Sequence, residues 1–349
     1  NPGHRLRVYR PESEGLMSLL QVRDLKVAFK TPDGVVNAVA GVSFDLNAGE
    51  TLAIVGESGS GKSVSNLAYM GLLPTAKTTI TGSVILKTDD GDVELIGLPN
   101  EEMRKIRGKD IAMIFQDPMS ALHPYYTIGD QLIEAHQVHN EVDKSVSRDR
   151  AIELLSLVGV ADPAERLKAY PHQFSGGMRQ RVMIAMALMN NPKVLIADEP
   201  TTALDVTVQA QILKLLSDLQ KKFAMAVILI THDLGVVAGS ADRVNVMYGG
   251  RLVESAEVNA LYKKPMMPYT VGLLDSIPRM DQGHGKRLRA IPGQPPSLIK
   301  LGQGCAFAAR CDRKAELPDG TCDTNPELKA VEANHLVRCH LYDRKAASK

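Results

Sequence analysis

Apolar and polar positions alternate through residues 18–56, where Leu20, Val22, Leu25, Val27 and Phe29 recur as in strands, and Thr31-Pro-Asp-Gly34 marks a turn. Leu52-Ala-Ile-Val55 breaks the alternation: it is wholly apolar and ends in glycine, the pattern of a strand buried on both faces. Val194-Leu-Ile-Ala197 and Val227-Ile-Leu-Ile230 repeat that pattern, and polar residues follow each. Residues 101–190 read as mainly helical, with polar linkers at Asn140–Ser147 and Asp162-Pro163. Strands separated by helices predict an α/β fold with a parallel sheet, whose ligands sit at the strands' carboxyl ends. From Ile277 onward Pro278, Pro292, Gly293, Pro295 and Pro296 predict a linker before a cysteine-bearing tail.

Composition narrows the class. At 349 residues, 44% hydrophobic and 23% charged, the chain reads as soluble and globular rather than disordered or fibrous. The 41 basic and 40 acidic residues leave a formal charge of +1, without the basic excess of a nucleic-acid binder. The longest apolar runs, Val182–Met189 and Phe223–Ile230, have eight residues each. A bilayer span needs ~20, so the chain is not expected to cross a membrane itself, which leaves it free to dock on something that does. Residues 1–16 are polar with no apolar run after their basic residues, and read as a cloning remnant or a disordered extension.

Gly56-Glu-Ser-Gly-Ser-Gly-Lys-Ser63 matches the phosphate-binding P-loop in full, after a buried strand and before a helical pattern. Its glycines let backbone N–H groups converge on phosphate oxygens, and the helix start adds a positive dipole end. Gly56, Ser58, Gly59, Ser60, Gly61, Lys62 and Ser63 are the candidate nucleotide contacts. Lys62 is placed on the β- and γ-phosphates and Ser63 on Mg²⁺. After the second buried strand, Asp198 is the candidate Mg²⁺ ligand and Glu199 the residue that polarises the attacking water. His232, after the third, is placed facing the γ-phosphate, with a structural hydrogen bond as the alternative. Gln116, in Ile114-Phe-Gln-Asp-Pro118, carries a long amide suited to sensing Mg²⁺ or the lytic water, and is included among the catalytic and metal candidates.

These pieces, in this order, resemble an ABC-type ATPase. The decisive segment is Phe174-Ser-Gly-Gly-Met-Arg-Gln-Arg181, which resembles the ABC signature, with Phe and Met where Leu and Gln are commonest. The resemblance implies a RecA-like core, an antiparallel β subdomain and a helical subdomain over about 101–190. The cassette would span 17–270, followed by a small cysteine-bearing C-terminal extension over 271–349. It implies that Ser175, Gly176 and Gly177 reach the γ-phosphate held by the opposite subunit of a head-to-tail dimer. It also implies that Asp205 lies on the loop crossing that interface, that Gln116 joins the nucleotide to the transmembrane partner, and that Phe29 stacks on adenine, if it is not simply strand core.

Ile114–Met119, Arg179–Met186, Ala197–Gln209 and Pro268-Tyr-Thr270 narrow the resemblance to the ATPase subunits of dipeptide/oligopeptide importers. That family implies a peripheral subunit at the cytoplasmic face of the bacterial inner membrane. Its partners would be two permeases, a second ATPase subunit (in this family often a non-identical paralogue, with an identical copy as the alternative), and an extracytoplasmic solute-binding protein, with no nucleic acid. Two alternatives remain at this stage: a soluble repair-type ABC ATPase acting on nucleic acid, and an importer of nickel chelates or glutathione.

The four cysteines fall together as Cys305-x5-Cys311-x10-Cys322-x16-Cys339. No pair has the tight knuckle of two to four intervening residues usual for structural zinc. Four thiolates in a loop-rich tail suit a cubane iron–sulfur cluster better, with zinc second and free thiols third. The importer family likewise carries a 4Fe–4S cluster in this extension, and Glu316–Gly320 lengthens the middle spacing here.

Overall fold

The computed structural model of the chain describes residues 18–202, 204–277, 290–299 and 301–347, the side chains of Ser120 and 344–347 excepted. The readings placed on residues 1–16 and on Pro278 lie outside these residues.

Two sheets organise the fold. The first is antiparallel, in the order β2-β1-β4-β5, from β1 (Ser18–Thr31), β2 (Gly34–Asn47), β4 (Thr78–Thr88) and β5 (Gly91–Glu94). The alternation read in the sequence is borne out in β1: Leu20, Val22, Leu25 and Val27 are fully buried, and Phe29 is half-buried against the same core. The second sheet has eight strands. Its parallel part contains β3 (Thr51–Val55), β6 (Ile111–Ile114), β7 (Val194–Asp198), β8 (Ala226–Thr231) and β9 (Arg243–Tyr248), ordered β9-β3-β8-β7-β6. β7 and β8 are buried at every residue, which explains their continuous apolar sequence.

β6 lies inside the segment read as mainly helical. Its four residues, Ile-Ala-Met-Ile, are buried and pair in parallel with β7. Around it the longer helices, Ile128–Gln137, Lys144–Leu157 and Gly176–Ala187, pack Leu132, Leu154, Leu155 and Ile184 into a second core.

The other side of the sheet is antiparallel. β10 (Arg251–Glu257) pairs with β9, β12 (His335–Val337) with β10, and β11 (Lys329–Glu332) with β12. The tail therefore adds two strands to the main sheet. Glu254 of β10, fully buried, anchors the junction: it accepts the Met266 and Met267 N–H groups at 2.8 and 3.0 Å and lies 2.7 Å from His335 Nε2. Among the described residues no helix is long and apolar enough to cross a membrane.

Candidate nucleotide site and cysteine region

The Gly56–Ser63 loop leaves the end of β3 and runs into the helix Lys62–Tyr69. Two glycines are sterically required. A Cβ on Gly56 would stand 2.2 Å from the Met247 carbonyl oxygen, and one on Gly61 would stand 2.3 Å from that of Ala38. Both also have positive φ, 152° and 99°. β9 and β2 therefore clamp the loop from two sides.

Lys62 is buried, and its Nζ donates to the carbonyls of Gly56 (2.7 Å) and Glu57 (3.1 Å). Burial lowers its pKa, against the opposing pull of the Glu199, Asp198 and Glu57 charges. Ser63 Oγ donates to Asp198 Oδ1 at 2.9 Å. Burial pushes the Asp198 pKa up and the Glu199 charge adds to this, while the Ser63 bond and the Lys62 charge hold it down. Such a carboxylate, raised in energy by its surroundings, is suited to binding a cation.

Glu199 adopts φ +44°, unusual for a residue with a side chain, and its N–H donates to the Ile230 carbonyl of β8 at 2.9 Å. That conformation turns its carboxylate into a cluster. Oε2 accepts from Gln116 Nε2 and from Thr202 Oγ1, each at 3.0 Å, and Oε1 lies 3.3 Å from His232 Nδ1. The acid is shielded and the imidazole open, at 15% and 61% exposure. The His232 turn is shaped by Asp233, whose N–H donates to Thr231 Oγ1 (3.0 Å) and whose Oδ1 accepts the Gly235 N–H (2.8 Å).

The structure thus brings Lys62, Ser63, Asp198, Glu199, Gln116 and His232 together at the carboxyl ends of β3, β6, β7 and β8. The sequence had pointed to three strand tips; β6 supplies the fourth and carries Gln116. Thr202, a hydroxyl donor to Glu199, was not singled out in the sequence, although it lies three residues beyond it.

Ser175, Gly176, Gly177 and Asp205 stand elsewhere. Ser175 caps the Gly176–Ala187 helix, accepting the Met178 N–H at 3.4 Å, and Asp205 caps Val206–Phe223 through Thr207 and Val208 N–H at 3.0 Å each. The two turns pack together: a Cβ on Gly177 would meet Val208 Cγ1 at 3.0 Å. Phe29, in β1, pairs with Val36 and Thr78.

In the tail, all four cysteines are free, Cys322 and Cys339 buried and Cys305 and Cys311 half-buried. The Cys305 N–H donates to the Cys322 carbonyl at 2.9 Å. Burial raises the pKa of Cys305 and Cys311 and pushes Cys339 up to about 12, and the other thiols add to the rise in each case. Two arginines share this neighbourhood. Burial and the Arg251 charge bring Arg338 down to about 10, while Cys305 pulls the other way on both. Arg251 Nη1 is buried without a partner. Among the described residues, no three His, Cys, Asp or Glu side chains are disposed as ligands of one metal ion. The thiols therefore share a neighbourhood without converging on a single-ion shell. The donor set, four thiols beside an orphaned guanidinium N–H, nonetheless suits a thiolate-ligated group of net negative charge.

Comparison with known proteins agrees with this architecture. Residues 39–202 match the family model described as ABC transporter, and residues 253–316 match that of the oligopeptide/dipeptide transporter C-terminal region. The chain is 53% identical to a dipeptide transport ATP-binding protein, DppD, of Bacillus subtilis, over 94% of this chain and 96% of that protein. It is 49% identical to the oligopeptide transport ATP-binding protein OppD of Escherichia coli, over 92% and 93%. Among solved structures, the ATP-binding cassette MJ0796 in a dimeric post-hydrolysis state bound to ADP and Pi superposes with a TM-score of 0.60. It is 28% identical and covers 68% of this chain and 98% of that one. These likenesses favour the peptide importer over the nucleic-acid and non-peptide alternatives. With its P-loop cassette, its strand-tip acids and relatives at this identity over nearly its whole length, the chain belongs to the dipeptide/oligopeptide importer family of ABC transporters, as its ATP-hydrolysing subunit.

Proposed function

We propose that hydrolysis is carried out by the cluster centred on Glu199, and that the Gly56–Ser63 loop holds the ATP phosphates. Lys62 leaves its carbonyl partners for the β- and γ-phosphates. Ser63 and Asp198, already joined, would hold Mg²⁺, with Gln116 as a further candidate ligand. The metal, when bound, neutralises charge on the phosphates. Glu199 orients and polarises the attacking water, Gln116 and Thr202 fix its carboxylate, and His232 at 3.3 Å holds it toward the γ-phosphate. Phe29 stacks on adenine. Ser175, Gly176 and Gly177 serve the γ-phosphate of an opposing subunit, and Asp205 crosses that interface. The observation carrying this reading is the convergence of Gln116, His232 and Thr202 on one shielded carboxylate.

Permeases and a substrate-binding protein accompany this subunit, as the family implies. We further propose two permeases, a non-identical ATPase paralogue and a site at the cytoplasmic face of the bacterial inner membrane. The four cysteines hold a 4Fe–4S cluster in a structural or regulatory role. Arg251 and Arg338 beside Cys305 support an anionic group there.

Glu199→Gln tests the hydrolytic assignment. ATP binding is expected to survive, while turnover falls about a hundredfold or more. Turnover within a few-fold of the parent removes Glu199 from its role.

A further inference from the structure

Arg310 belongs to the extension, one residue before Cys311, yet its guanidinium is directed at the phosphate loop. Nη1 and Nη2 donate to Glu57 Oε2 and Oε1 at 2.6 and 3.0 Å, the two-pronged match of a planar guanidinium to a carboxylate. The Arg310 side chain is only 6% exposed and that of Glu57 27%. The fork is fixed from behind. Nε donates to the Pro292 carbonyl at 2.9 Å, Nη2 to that of Ile291 at 3.4 Å, and Nη1 to Tyr248 Oη at 3.3 Å. Its carbon lies 5.8 and 6.0 Å from the Tyr248 and Phe307 ring centroids.

Glu57 is the second residue of the loop. Its N–H donates to Tyr269 Oη at 2.8 Å, and its carbonyl accepts from Lys62 Nζ at 3.1 Å. A free carboxylate at this place would repel a polyanion on the neighbouring N–H groups, and the low-dielectric surroundings would screen that repulsion poorly. No element of the cassette pairs with the Glu57 carboxylate among the described residues; the cation comes from the extension.

We infer that Arg310 is a positioning residue for ATP: by pairing with Glu57 it orients that side chain and cancels its charge beside the phosphates, so that the extension sets the affinity of the cassette for nucleotide. This rests on the assignment of the 56–63 loop to the ATP phosphates, and the experiment separates the two.

The full chain is titrated with a fluorescent ATP analogue and Mg²⁺, with thermal melting in parallel. Lys62→Ala should abolish binding; unchanged affinity there overturns the loop assignment whatever Arg310 does. With that control in hand, Arg310→Ala is expected to weaken binding about tenfold, whereas Arg310→Lys stays within about threefold of the parent. Glu57→Gln in the Arg310→Ala background is expected to bring affinity back to within about threefold of the parent, a recovery that a purely structural loss would not show. If Arg310→Ala does not fold, Arg310→Gln, alone and with Glu57→Gln, makes the same comparison. Unchanged affinity without the guanidinium, or a loss that Glu57→Gln leaves uncorrected, overturns the inference.

Discussion

The tips of β3, β6, β7 and β8 and the cysteine-bearing edge beyond β10 both gather reactive side chains, but they satisfy them in opposite ways. At the strand tips Asp198 and Glu199 have partners from beyond other strands: Asp198 has Ser63, and Glu199 has Gln116 and His232, besides Thr202 from its own turn. Hydrogen bonds between side chains hold that site in shape before any ligand arrives. At the edge, burial and then neighbouring thiols raise the pKa of Cys305, Cys311 and Cys339, and a buried guanidinium N–H goes without a partner. A parallel sheet brings the partners of its acids together through its topology, a frame that the loop-rich edge lacks.

Three experiments break or sharpen this contrast. The largest effect is expected at the strand tips, from Gly61→Ala. Its Cβ would meet the Ala38 carbonyl at 2.3 Å at a φ of 99°, and neither backbone can yield freely. ATP affinity should fall at least about a hundredfold, and stability by about 2–3 kcal/mol, in nucleotide titration and urea unfolding. Retained affinity would mean that the loop is not held as rigidly as the contrast requires. Next comes Glu254→Ala, at the junction of cassette and extension. It strands the Met266 and Met267 N–H groups and His335 in the core, and should cost about 3 kcal/mol. Limited proteolysis should then cut the extension first, and simultaneous cleavage of both parts would erase the boundary.

The smallest effect concerns the edge itself. Anaerobically purified protein is expected to hold iron and sulfide in equal amounts, and full zinc without iron would reject the cluster. Once the metal is stripped, the raised thiol pKa values predict a definite sign. The folded state keeps protons that the unfolded state releases, so stability present below the ordinary thiol range is lost as pH rises from there toward 12. The melting temperature of metal-free protein should fall by a few degrees between neutral and moderately alkaline pH. Cys339→Ser should flatten that slope.

The sequence made the strand tips readable because their chemistry is contiguous. Eight residues spell the loop, two acids close an apolar run, and buried strands such as β7 leave no alternation to confuse the reading. β6 escaped because four apolar residues have no period of their own, and the helices on either side dominated the pattern. The Glu57–Arg310 pair spans 253 positions, and the Glu254–His335 contact spans 81. Neither leaves a local trace, since each partner alone reads as an ordinary charged residue. The tail read as a linker and a cysteine loop; that it continues the main sheet follows from pairing with β10, which no property of Lys329–Val337 by itself dictates.

That pairing bears on solubility and assembly. Without β12, β10 would offer a row of free amides and carbonyls to any passing strand. The outermost member, β11, is a poor template for growth: it is four residues long, its register slips between Ala330 and Glu332, and its ends are tied by Lys329 to Asp343 and Glu332 to Lys264. The sheet thus terminates against its own chain, and copies of the protein are steered away from joining strand to strand.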